Sequence, residues 1–99
     1  MLENLTPDNF SEILNENFVL RITDHEDMNF ELLEVNRMPH GRREGGSFSL
    51  LFSTVSEPLL NQGVLPLTHE KLGTLQIFLV PVGPLPDKPD SMSYEAIFS

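Results

Sequence analysis

"GTLQIFLVPVGPLPDKPDSMSYEAIFS", residues 73–99, closes the chain, and how it is read decides the fold. Leu75, Ile77, Phe78, Leu79, Val80 and Val82 form one run that is apolar on both faces after Gln76. A strand of that kind belongs in the middle of a sheet, because a half-solvated strand alternates apolar with polar residues. "SYEAIFS" at 93–99 reads as its partner, with Tyr94, Ala96 and Phe98 on one side. Four prolines punctuate the stretch, and Pro81 and Pro84 are expected to end the first ladder, leaving 84–90 as a stiff extended excursion. The spacing predicts strands over 73–82 and 92–98, ordered to the end of the chain, where termini usually fray.

The segments before it keep the period of two. "GVLPLTH" is a short strand over 63–69, and Pro66 confines it to an edge or a bulge. "EKLG" ends in a glycine suited to a tight turn. "SFSLLFS", 47–53, sets Phe48, Leu50 and Phe52 against Ser47, Ser49 and Ser53, which gives a strand with a strong inner face. "FVLRIT" and "FELLEVNRM" flank the polar "DHEDMN" as a hairpin with strands over 17–23 and 29–37. The doublet Leu32-Leu33 breaks the alternation and implies a bulge or burial on both faces. "PHGRREGG", 39–46, with its proline, glycines and charges, is a loop.

At the N-terminus "LTPDNFSEIL" predicts a helix over about 6–15. Thr6 is the N-cap, Pro7 takes the first helical position, and Asp8 and Glu12 suit the positive end of the dipole. Leu5, Phe10, Ile13 and Leu14 would be its buried stripe. The fold class is therefore mainly β, within α+β. A short N-terminal helix precedes six antiparallel strands, arranged as a small barrel or a two-layer sandwich with the helix closing one end. The reading gives one domain, 1–99.

Composition narrows the chemistry. Hydrophobic residues make up 39% of the 99, enough for a core without staples, and there is no cysteine to supply disulfides, a thiolate nucleophile or a cysteine metal site. No run of about eighteen apolar residues suggests a membrane span, and no leader pattern opens the chain, so a cytoplasmic location is expected. A net charge of −9 argues against nucleic acid as a partner. The charge is uneven: acidic residues dominate 1–34, whereas Arg37, His40, Arg42 and Arg43 cluster in one short stretch.

That cluster is the one candidate anion- or partner-binding site, since guanidinium groups and glycine amides suit a phosphate or carboxylate. "DHED", Asp24–Asp27, lacks the spacing of a calcium loop and reads as a solvated hairpin tip. His69 beside Glu70 lacks a nucleophile-elbow serine and reads as bonding its own turn, with a His69 hydrolase as the exception to a noncatalytic reading. Glu95 reads as an outward glutamate. Phe48, Phe52, Phe78 and Phe98 read as core. No catalytic residue, metal site or cofactor is expected.

"FSLLF" (Phe48–Phe52), "LNQGVLPLTHEKLG" (Leu60–Gly73), "LQIFLVPVGP" (Leu75–Pro84) and "YEAIF" (Tyr94–Phe98) together resemble a family of small bacterial domains of unknown function. The pattern covers essentially the whole chain. The sequence departs from it at Leu65, where the family favours an aromatic, and at Leu59-Leu60-Asn61, which replaces a more proline-rich lead-in. The family's genes tend to lie near phage-tail-collar-like genes, and the resemblance implies an accessory or structural role in such an assembly. The function expected is a noncatalytic protein-interaction or structural module that engages a protein partner or a second copy through Leu65, Ile77 and Ile97. The alternative is a small-ligand or anion-binding barrel using loop 37–46.

Overall fold

The structure, a computed structural model, describes residues 5–38 and 47–98. A short helix, α1 (Pro7–Ser11), precedes β1 (Asn17–Thr23), β2 (Glu26–Met38), β3 (Ser47–Val55), β4 (Gly63–His69), β5 (Gly73–Leu85) and β6 (Lys88–Phe98). Neighbouring strands pair antiparallel in the order β1-β2-β3-β6-β5-β4, and β4 returns to β1, so one sheet closes into a ring. Among the described residues the mainly β class with one short helix holds.

Alternation places the core. In β3 and β6, Phe48 pairs with Phe98, Leu50 with Ala96 and Phe52 with Tyr94, all buried and all turned to the inside of the ring. Phe18, Phe30, Leu32, Leu67, Ile77 and Leu79 fill it from the other strands. Aromatic geometry orders this interior: Phe48 stacks on Phe98 at 4.6 Å, and Phe10 of α1 lies 5.7 Å from each. The helix is thus a plug at one end of the ring. Further along β6, the Leu60 N–H donates to the Tyr94 hydroxyl at 3.0 Å and fastens the connection between β3 and β4.

The cap of α1 is as expected. Thr6 Oγ1 accepts from the Asn9 N–H while Asn9 Oδ1 accepts from the Thr6 N–H, with Pro7 next in line. The helix is shorter than predicted and stops at Ser11. Asn15 takes a positive φ of 69°, its N–H donates to Leu32 O at 2.7 Å, and the Leu32 N–H donates to Glu16 O at 3.0 Å. Pairing with β2 therefore draws the chain out of the helix, and Leu14 is left 40% exposed instead of joining the stripe.

The expected excursion over 84–90 is absent. The β5 ladder runs through Pro81 and Pro84 to Leu85, which pairs with Lys88 across a two-residue turn. Register shifts between Pro81 and Gly83 and between Gly83 and Leu85 absorb the residues that cannot donate, and Gly83 adopts φ +112° at the bend. Ser91 Oγ accepts from the Leu85 N–H and donates to Lys88 O, closing the turn. β2 carries the bulge implied by Leu32-Leu33, with a register shift between Leu32 and Glu34.

The ring closes thinly. β1 meets β4 at one register pair, Val19 with Thr68, whereas β3 and β6 share eight. Two residues further the same register would set Arg21 against Pro66, which has no N–H to give. β1 also shifts register between Arg21 and Thr23 there. A cleft of about 310 Å³ opens at that point, lined by Val19, Arg21, Pro66, Thr68 and Thr74.

Candidate functional site

His69 ends β4 and is 2% exposed. Its Nδ1 accepts the backbone N–H of Lys71 at 3.0 Å and of Leu72 at 3.4 Å, and its Nε2 lies 2.7 Å from Glu16 Oε1. A nitrogen facing two N–H donors must carry a lone pair, so the ring proton sits on Nε2 and is donated to Glu16. Both nitrogens are then occupied, one by the β4–β5 turn and the other by the residue that precedes β1. The ring also packs 5.0 Å from Phe18. This arrangement holds a turn and the seam together and leaves no lone pair aimed at a substrate.

Arg37 stands near the end of β2, where its guanidinium meets Asp8 of α1 at 2.6 Å with both side chains largely exposed. It ties the plug helix to the sheet. The other members of the basic cluster, His40, Arg42 and Arg43, lie with loop 39–46 outside the described residues. The Asp24–Asp27 segment is a hairpin tip: Thr23 Oγ1 accepts from the His25 N–H, and Arg21 lies 3.6 Å from Asp27. Among the described residues no group of three or more His, Asp and Glu is placed to hold a metal ion, and no helix is long and apolar enough to cross a membrane.

The interior is packed with side chains. The notable surface is outside, on β4, β5 and β6. Val64 pairs in register with Phe78, and a groove of about 280 Å³ runs between these and Ile97. Val64 is 58%, Phe78 50% and Ile97 57% exposed, and Val82 continues the face along β5.

Of the interface residues expected from sequence, Ile97 stands in this row. Ile77 does not: it is 1% exposed, pairs with Leu65 and faces the core. Leu65 is half-buried and packs against the same core. Phe78, in turn, is not a core residue. The difference is one of phase, since adjacent residues on a strand point to opposite faces. The signal that fixes the phase is Thr74 and Gln76, two polar residues that share the parity of Phe78.

Residues 5–98 match the family model DUF6916, described as a domain of unknown function. No curated protein and no solved structure matches the chain.

Proposed function

The chain belongs to the DUF6916 family, and from that premise we propose that it is a noncatalytic protein-interaction module, an accessory structural part of a phage-tail-like assembly, acting in the cytoplasm. The observation that carries this reading is the outward row of Val64, Phe78 and Ile97 on a closed ring whose interior is already filled. Large apolar side chains grouped on a surface lose free energy by leaving water, and a protein face covers them best. The engagement of both His69 nitrogens supports the noncatalytic part of the reading.

The test uses the full chain and its Phe78→Lys variant as parallel baits in a lysate in which a phage-tail-like particle is being assembled. Retention of a tail-assembly protein by the parent, reduced about tenfold or more by the substitution, is the expected result. Retention of no such protein by the parent, or equal retention by both baits, overturns the proposal.

A further inference from the structure

A cleft of about 530 Å³ shares no residue with the groove at Phe78. Asn17, Asn29 and Glu31 of β1 and β2 stand on one side of it, residues 87–91 around the β5–β6 turn on the other, and the end of β3, 53–55, between them. Glu31, Asp87 and Asp90 bring three carboxylates to this cleft against the one ammonium of Lys88. Among the described residues none of the three is ion-paired, not even with Lys88. Carboxylates alone would describe any acidic surface. A second observation comes from the hydroxyls: Thr54 lines the cleft, is 7% exposed, and its buried Oγ1 has no partner among the described residues. Ser93, 2% exposed and paired in register with Ser53 of the cleft, carries another such hydroxyl. Buried hydroxyls are almost always bonded, so the pair points to a polar group that enters the cleft.

The lining decides the class of that group. Three carboxylates exclude an anion, and with the side-chain oxygens of Asn17 and Asn29 they make the cleft rich in acceptors. Among the described residues no three acidic or histidine side chains converge to hold a metal ion, so the positive charge that suits this cleft is spread and not a point. An ammonium concentrates its charge on one atom, whereas a guanidinium fans five N–H donors over a plane and takes carboxylates in pairs. The wall that carries Asp87 and Asp90 is already fixed: Ser91 Oγ accepts from the Leu85 N–H and donates to Lys88 O, and the Ser56 N–H donates to Asp90 O at 3.1 Å. Little ordering is left for a ligand to impose. We propose that the cleft between β2 and the β5–β6 turn is a binding site for a guanidinium group, held by Glu31, Asp87 and Asp90. The group is that of a free small molecule or of an arginine side chain on a partner, and the chemistry of recognition is the same. The site lies apart from the apolar face and goes beyond the interaction proposed for it.

Titration of the isotope-labelled full chain with methylguanidinium at constant ionic strength, followed by backbone amide shifts, tests it. Saturable shifts are expected at Asn29, Glu31, Thr54 and Ser91 and not at Phe78 or Ile97, with a dissociation constant on the order of 1 mM. Methylammonium, a point charge, and methylurea, planar but neutral, should bind about tenfold more weakly or less well still. Glu31→Gln and, separately, Asp90→Asn should raise the dissociation constant about fivefold or more, and Lys88→Gln should lower it. A blocked glycine–arginine–glycine peptide separates the two sources. Binding about tenfold tighter than methylguanidinium assigns the group to a partner's arginine, and equal binding assigns it to a free molecule. The proposal is overturned by the absence of saturable shifts, by shifts that methylurea reproduces, or by binding that both carboxylate substitutions leave unchanged.

Discussion

His69 is held at both ring nitrogens, and the two bonds have different energetic weight. The Nδ1 bonds satisfy backbone N–H groups of a turn, while the Nε2 bond reaches a carboxylate that is 42% exposed. Truncation at a residue this buried combines a cavity with orphaned donors, so His69→Ala should cost about 2–4 kcal/mol in urea unfolding. His69→Asn can return an acceptor to the Nδ1 position and should recover roughly half of that loss. Glu16→Gln keeps an oxygen for Nε2–H and should cost less than about 1 kcal/mol. Equal losses for the three would show that the turn bonds are not what His69 supplies. At this scale the turn-bonding role of His69 was legible, because a histidine before a short turn has backbone donors at hand. Its Glu16 partner was not, being 53 residues away in sequence. The outward set on β5 was missed for a different reason: an unbroken apolar run carries no phase of its own, and the phase had to be taken from Thr74 and Gln76.

The elements differ from the sequence reading where a tertiary contact or a bulge overrides a local preference. The cap Thr6–Asn9 starts α1 as its residues dictate, but the ladder of β2 captures Asn15 and Glu16 and ends it early. Pro81 and Pro84 looked like terminators of β5, yet a bulge lets a residue that cannot donate sit where no ladder bond is needed. Gly83 makes that possible. Nothing lies within 4 Å of a Cβ added there, so the cost of Gly83→Ala comes from the backbone alone, at φ +112°. Thermal unfolding should show a loss of about 1–3 kcal/mol. Gly63→Ala meets equally open space without a positive φ and should change stability by less than about 1 kcal/mol. Comparable losses at the two glycines would mean that the β5–β6 bend tolerates an alanine and that its course is set by the prolines.

At the scale of the molecule, the ring is strong on one side and weak on the other. Seven register pairs join β2 to β3 and seven join β4 to β5, but Val19–Thr68 alone joins β1 to β4, with the Glu16–His69 contact beside it. A closed sheet opens first where the fewest backbone bonds must break. The outer side of the seam borders two open regions, the cleft at Pro66 and a larger one of about 580 Å³ around Glu16, His69 and Lys71, while Phe18, Leu67 and His69 pack beneath it. Native-state hydrogen exchange should therefore find the amides of Val19 and Thr68 exchanging at least about tenfold faster than those of Leu50 and Ala96 at the β3–β6 junction. Glu16→Ala should widen the difference, because it removes a side-chain hydrogen bond that ties the two sides of the seam. Uniform protection around the ring, unchanged by Glu16→Ala, would show instead that the six strands open only together, and that the packed interior, not the count of backbone bonds at the seam, decides how the ring comes apart.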